Sequence, residues 1–234
     1  MTFSPYPRPV REIHQIELSS RCNLKCVYCP HHPNLPRTKE DMSEDTFRQS
    51  LDLIQHYVRQ GTQTELSLTG IGEAMLHPRF VEYATRAREV VGPHRQLVIT
   101  TNGLLLDEKM AAAIAPLHPL VFISLHRPEK AGPAIEIAKK YEILAGINAS
   151  FATSSFDWAG SQKNWFVSAP KIPCEYLRSG WAVILVDGRV ATCCLDADGS
   201  STIGRVTDNP ETLMLKPWKS EKGAGCEFCH MSIP

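Results

Sequence analysis

Ile13-His-Gln-Ile-Glu-Leu18-Ser-Ser-Arg-Cys22-Asn-Leu-Lys-Cys26-Val-Tyr-Cys29 is the stretch whose reading decides the fold. Ile13–Leu18 is rich in β-formers and alternates, which predicts a strand. That strand runs directly into three cysteines within eight residues. The other five cysteines are Cys174, the doublet Cys193-Cys194, and the C-x-x-C pair Cys226 and Cys229. Eight cysteines could form four disulfides. The start of the chain, however, is polar and proline-rich and shows no secretion signal. A chain of 234 residues also builds a large core without covalent staples. Clustered, closely spaced cysteines in a reducing compartment point to metal instead. A zinc site takes four ligands, and His31 or His32 could complete the first group. A three-thiolate loop also suits an iron–sulfur cubane, in which each iron takes one external ligand. Three cysteines then leave one iron open for something else to bind.

Outward from this strand the pattern alternates. Helices are predicted over Ser43–Arg59, Arg79–Val91, Asp107–Ala115 and Glu129–Glu142. Strands are predicted over Glu65–Leu68, Gln96–Thr100, Val121–Leu125 and Ile147–Thr153. Ser43 is a candidate N-cap, with Glu44 and Asp45 in the first turn and Phe47, Leu51, Ile54 and Val58 at helical spacing. A βα succession predicts a parallel sheet with helices outside, and right-handed crossovers would curl it into a barrel or partial barrel. Function should then sit at the carboxyl ends of the strands. The cysteine loop, Gly70–Glu73 and Asn102-Gly103 all fall there. After about residue 160 the rhythm stops. Ala182–Val186 and Arg189–Cys193 read as two strands around a two-residue Asp187-Gly188 turn. Thr212–Lys219 reads as a short helix limited by Pro210 and Pro217.

Composition narrows the functional classes. Twenty-five basic and twenty-five acidic residues cancel, and neither end carries a charged tail. A general nucleic-acid binder needs a basic surplus, so the balance argues against that class, though not against an enzyme that acts on a nucleotide. Apolar stretches are short and broken by Pro116 and Pro119, whereas a membrane span needs about 20 residues. The expectation is a soluble, cytoplasmic protein that does not engage membranes.

Cys22-Asn-Leu-Lys-Cys26-Val-Tyr28-Cys29 resembles the C-x₃-C-x-Φ-C signature of the radical S-adenosylmethionine (SAM) enzymes. The resemblance implies that Cys22, Cys26 and Cys29 hold a [4Fe–4S] cluster whose open iron is chelated by SAM. One electron would then cleave SAM to methionine and a 5′-deoxyadenosyl radical. Gly70-Ile-Gly72-Glu73-Ala74 resembles the family's G-G-E-P segment, with Ala74 in place of proline. It implies contacts from Gly70, Gly72 and Glu73 to the SAM amino group, which needs acceptors. Thr101-Asn102-Gly103 matches the family's T-N-G, placing Asn102 near the ribose or the methionine carboxylate. Tyr28 and Ser124 complete the implied SAM contacts. His126 departs from the family's S-x-D and is a candidate acid/base residue or hydrogen-bond donor.

The remainder resembles the twitch or SPASM extension of one branch of that family. The pieces are Cys174, Asp187-Gly188-x-Val190-x-x-Cys193, Ile203-Gly204-x-Val206, Trp218 and Cys226-x-x-Cys229. They imply a second, auxiliary [4Fe–4S] cluster on Cys174, Cys193, Cys226 and Cys229, with Cys194 spare. A structural zinc ribbon is the alternative for these cysteines. The expected fold is α/β: a partial (β/α)₆ barrel over 1–165 and a C-terminal twitch subdomain, a β-hairpin plus short helix, over 166–234. Length and cysteine layout are closest to the small twitch dehydrogenases of aminocyclitol alcohols. The expected activity is dehydrogenation of a small alcohol-bearing metabolite, driven by an external reductant such as flavodoxin or ferredoxin. Peptide modification and redox-neutral isomerisation are the alternatives within the family. With a dozen residues before the first strand, the expectation is that no added peptide-binding domain is present. A non-catalytic zinc module would leave Gly70–Glu73 and Asn102-Gly103 unexplained. Trp158, Trp165 and Tyr176 are candidates for an aromatic wall, or simply packed core.

Overall fold

The computed structural model describes residues 6–31, 37–148, 172–219, 225–229 and 231–232. Its strands are β1 (Arg8–Pro9), β2 (Glu12–Ile16), β3 (Glu65–Leu68), β4 (Gln96–Thr101), β5 (Leu120–Ser124), β6 (Leu144–Asn148), β7 (Ile172–Pro173), β8 (Trp181–Ile184), β9 (Arg189–Ala191), β10 (Thr202–Arg205), β11 (Met214–Leu215) and β12 (Met231–Ser232). Its helices are α1 (Glu44–Gln60), α2 (Phe80–Val91), α3 (Glu108–Ile114), α4 (Pro128–Lys140) and α5 (Glu175–Ser179).

Eight strands form one sheet in the order β10-β9-β8-β2-β3-β4-β5-β6. From β8 through β6 every neighbour is parallel, with registers such as Leu66↔Leu97 and Ile99↔Val121. β8, β9 and β10 are mutually antiparallel. Six parallel strands therefore end at one edge of the sheet, as a partial barrel requires. The hairpin after residue 180 continues this sheet through the pairing Ile13↔Ala182 and Ile16↔Ile184.

Helix α1 follows the local signals. The Ser43 hydroxyl accepts from Thr46 N, Glu44 and Asp45 face the positive end of the helix, and Gly61 ends it in a left-handed conformation. Phe47 is fully buried and stacks on Tyr83 of α2 at 3.8 Å between centroids. Burying such a ring stabilises by about 2–3 kcal/mol. The core continues through Ile54 and Tyr57 of α1, Ala84 and Ala87 of α2, and Ile13, Leu66, Leu97 and Val121 of the sheet.

Three local expectations change. Thr212–Lys219 is not a helix: Pro210–Thr212 makes a single 3₁₀ turn, and Met214–Leu215 pairs antiparallel with Pro9 and Arg8. Proline fits the first position of a turn but stops propagation, and Pro217 has no N–H to donate. The hairpin loop is one residue longer than an Asp-Gly turn. Leu185 C=O accepts from Gly188 N–H and Leu185 N–H donates to Arg189 C=O, with Gly188 left-handed at φ 82°. That is a three-residue loop with glycine in the position it requires. The strand expected over Ile147–Thr153 starts at Leu144, because α4 ends at Lys140 and Glu142, at φ 56°, turns the chain early. Residues 149–153, like His32, Trp158 and Trp165, lie outside the described residues. Tyr176 is described, and packs edge-on against His14 and Trp181. Among the described residues no helix is long and apolar enough to cross a membrane.

Candidate active site

A cavity of about 290 Å³ opens at the carboxyl edge of the parallel strands. The sequence candidates Cys22, Cys26, Cys29, Tyr28, Gly70, Gly72, Glu73, Asn102, Ser124 and His126 all line it. They come from the ends of β2, β3, β4 and β5, so the strand order itself assembles them.

The cysteine loop is held by its own backbone. Cys29 N–H donates to Cys26 C=O at 3.1 Å, and Leu24 N–H donates to Cys22 Sγ at 3.4 Å. Leu24 is buried and anchors the loop on the cavity wall. Burial raises the Cys22 thiol above its ordinary range and pushes Cys29 up to about 12. Thiolates in such a place need a compensating positive centre, which a metal cluster supplies.

Glu73 is 3% exposed. Its carboxylate accepts from Asn102 N at 2.8 Å, Thr101 Oγ1 at 3.0 Å and Met75 N at 3.2 Å. Burial raises its pKa, and these donors oppose the rise. A buried carboxylate with only neutral donors suits a cationic ligand, and an ammonium group is one. Gly72 is fixed by space: a Cβ there would lie 2.4 Å from the carbonyl oxygens of both Ser19 and Arg21. Gly72→Ala is therefore expected to destabilise by about 2–3 kcal/mol. In a chain of this size that lowers Tm by about 5–10 °C, measurable by calorimetry on the apoprotein.

Asn102 is used differently from a bare ligand contact. Its Nδ2 donates to Asn23 Oδ1 at 2.7 Å and its Oδ1 accepts from Leu104 N at 3.0 Å. It thus ties the loop after β4 to the cysteine loop. Tyr28 Oη and His126 Nδ1 are 2.6 Å apart. Burial lowers the His126 pKa, which favours the neutral ring, and Tyr28 Oη also lies within hydrogen-bond reach of Cys26.

A second thiol group does not itself line the cavity, although Leu195, which packs against it, does. Cys193, Cys226 and Cys229 pack around Trp218 and Leu195, and Cys174 lies within electrostatic reach of Cys193 and Cys226. Cys193 Sγ accepts from Leu195 N and Cys226 Sγ from Trp218 N, both at 3.4 Å. The buried Trp218 indole N–H lies close enough to Cys193 to favour the thiolate there but makes no well-formed hydrogen bond. A donor aimed among sulfurs in this way fits a bound cluster, whose sulfurs accept hydrogen bonds. Among the described residues no three His, Cys, Asp or Glu side chains converge as a single metal ion requires. A cubane takes one thiolate at each corner, so its ligands surround a larger body.

Cys194, spare in the sequence reading, lines the main cavity beside Gln15. Gln15, Asn23, Asn148 and Leu195 were also not singled out by sequence. Gln15 and Glu17 carry a signal: they are polar residues at alternate positions in and just after β2, which is buried on both faces.

The arrangement defines a class: a parallel α/β partial barrel with a three-cysteine loop over a glycine-bounded cavity at its carboxyl edge. The comparisons give the family. The family model for the radical SAM superfamily matches residues 16–145. The chain belongs to that superfamily, and membership implies a [4Fe–4S] cluster and SAM. It is 33% identical over 138 residues to the tungsten-containing aldehyde ferredoxin oxidoreductase cofactor-modifying protein of Pyrococcus furiosus, covering 57% of this chain and 35% of that one. It is 30% identical over 148 residues to the GTP 3′,8-cyclase of Heliobacterium modesticaldum, covering 61% of this chain and 43% of the relative. The matches thus span less than half the length of these relatives. Among solved structures, BtrN in complex with AdoMet and 2-DOIA superposes with a TM-score of 0.70 at 19% identity, covering 85% of this chain and 79% of that one. Native anSMEcpe with bound AdoMet and Cp18Cys peptide gives 0.61 at 16% identity, covering 89% and 80%. These two likenesses are of fold.

Proposed function

We propose that this radical SAM enzyme dehydrogenates a small alcohol-bearing metabolite, using an auxiliary [4Fe–4S] cluster in its C-terminal twitch segment. The observation that carries the reading is the division of the cysteines. Cys22, Cys26 and Cys29 line the open cavity, joined there by Cys194, while Cys193, Cys226 and Cys229 pack around Trp218 and do not line it. Cys22, Cys26 and Cys29 would hold the first cluster, which supplies the electron that cleaves SAM. Cys174, Cys193, Cys226 and Cys229 would hold the second, which has no open iron and supplies an acceptor for the second electron of an alcohol oxidation.

The protein's own groups do the rest. The Glu73 carboxylate binds the SAM ammonium. Gly70 and Gly72 let the loop approach the cysteine strand. Asn102 and Asn23 fix the cysteine loop relative to β4. The Tyr28–His126 bond orients both rings, and the neutral His126 ring is the candidate acid/base group of this wall. Ser124, buried at the end of β5, lines the same wall. The external reductant would be a small electron carrier such as flavodoxin or ferredoxin, and the enzyme would work in the cytoplasm.

Metal analysis after anaerobic reconstitution tests the reading. Wild-type protein is expected to hold about eight irons and eight sulfides per chain, and Cys226→Ala about four of each. Cys226→Ala should still form 5′-deoxyadenosine. About four irons in the wild type would remove the auxiliary acceptor and favour redox-neutral chemistry. Zinc without iron at the C-terminal cysteines would mean a structural ribbon.

A further inference from the structure

Glu17 is the last acidic residue before the cysteine loop, and it is 2% exposed at its side chain. Four donors converge on its carboxylate. Arg37 Nη1 reaches Oε2 at 2.8 Å and Arg37 Nη2 reaches Oε1 at 3.1 Å. Ile71 N donates to Oε1 at 3.1 Å and Val186 N to Oε2 at 3.1 Å. Arg37, 5% exposed, also donates from Nε to Ala197 C=O at 2.9 Å. Gly70 is pressed on the same side chain: a Cβ there would sit 2.4 Å from Glu17 Cγ.

The donors belong to segments far apart in sequence. Ile71 lies between Gly70 and Gly72 in the cavity wall. Val186 is in the β8–β9 loop. Ala197 follows Cys193-Cys194 in the loop folded around Asp196, whose carboxylate accepts from the N–H groups of residues 198–201. One buried fork-to-fork ion pair therefore joins the loop that lines the SAM cavity to the loop that carries Cys193. A bidentate guanidinium fixes direction as well as distance, which a lysine ammonium does not.

We propose that Glu17 and Arg37 are positioning residues that set the separation and orientation of the two cluster sites. The proposal rests on the two-cluster reading. Electron transfer between the sites needs a fixed geometry; the strands β9, β8, β2 and β3 are neighbours in one sheet, and the Glu17–Arg37 pair ties together the loops that leave them.

The test is pulsed electron paramagnetic resonance on the reconstituted holoenzyme, reduced with dithionite in the presence of SAM. The dipolar coupling between the two reduced clusters reports their distance distribution. Wild type should give one narrow distribution. Arg37→Lys keeps a cation opposite Glu17 but cannot hold Glu17 and Ala197 together. It should at least double the width while iron content stays at about eight per chain. Glu17→Gln, which turns one acceptor into a donor facing N–H groups, should do the same. An unchanged width in both variants would overturn the proposal.

Amide exchange on the wild-type protein needs no variant to fold. The Ile71 and Val186 N–H groups should exchange at least 100-fold more slowly than exposed loop amides. Exchange at loop rates would also overturn the proposal. If only about four irons bind, the two-cluster reading fails, while the amide result still decides whether the junction is rigid.

Discussion

Alanine at Cys22, Cys26 and Cys29 together is expected to reduce 5′-deoxyadenosine formation to that of a protein-free control, with about four irons still bound per chain. The expectation follows from where the thiols are. All three line the cavity, and the cavity's other walls are the Gly70–Glu73 loop and Asn102. Without these thiols no sulfur ligand from the loop remains to hold a cluster against SAM. The second set of thiols packs separately around Trp218, so its iron should survive. The fold should survive as well. The buried apolar core runs through α1, α2 and the parallel strands and includes none of the three cysteines. Unchanged circular dichroism alongside lost SAM cleavage would isolate the effect to the site. Continued 5′-deoxyadenosine production at more than a few per cent of wild type would sink the assignment of these cysteines.

The parts of this site that were legible in the sequence share one physical property: their signals are local. Ile13–Leu18 alternates over six residues, and the three cysteines follow at once. Glycine at positions 70 and 72 marks a close approach, which the structure supplies as the Glu17 side chain and the Ser19 and Arg21 carbonyls. A βα rhythm then places these loops on one edge without further information. The helix over 44–60 was legible because cap, charge and apolar spacing agree with one another.

What was not legible depends on pairing across long stretches of chain. β1 and β11 are two-residue strands that exist only because residues 8–9 meet residues 214–215. No local pattern specifies that, and a helical reading of 212–219 was the local answer. β8 pairs with β2 through a register shift between Ile13 and Gln15, which puts Gln15 on the cavity wall. Arg37 sits in a segment without periodicity, so nothing near it announced a partner 20 residues upstream. Cluster arithmetic leaves Cys194 surplus, because the other seven cysteines already satisfy it. Its position in the main cavity follows from the turn after β9, in which Asp196 N–H bonds back to Cys193 C=O. Charge on a buried strand was the one unused local signal. Glu12, Gln15 and Glu17 are all buried on β2 or immediately after it, and most buried polar groups are hydrogen-bonded, so such residues point to partners elsewhere in the chain.

Glu73→Gln is expected to weaken SAM binding by about 100-fold, which corresponds to about 2.7 kcal/mol. Two charges about 4 Å apart at an effective dielectric near 20 attract by about 4 kcal/mol. Part of that offsets desolvation of the ammonium, leaving a net loss of this size. The Gln amide keeps the volume of Glu73. It replaces one acceptor by a donor facing Asn102 N or Thr101 Oγ1, so a local cost adds to the lost charge. Glu73→Asp separates the two contributions, because it keeps the charge and shortens the reach. Binding should fall less in Glu73→Asp than in Glu73→Gln if charge dominates. Equilibrium dialysis of SAM against reconstituted protein checks this, with iron content matched between variants. A dissociation constant for Glu73→Gln within threefold of wild type would remove Glu73 from the SAM site. The pH dependence has a fixed sign. Burial raises the Glu73 pKa, so the carboxyl takes up a proton at a higher pH than an exposed carboxylate. Only the ionised form attracts an ammonium. Wild-type SAM affinity should therefore fall as pH drops through that raised pKa, while ordinary carboxylates are still charged. Glu73→Gln has no proton to take up and should lose this dependence. A pH profile shared by both proteins would assign the titration to another group.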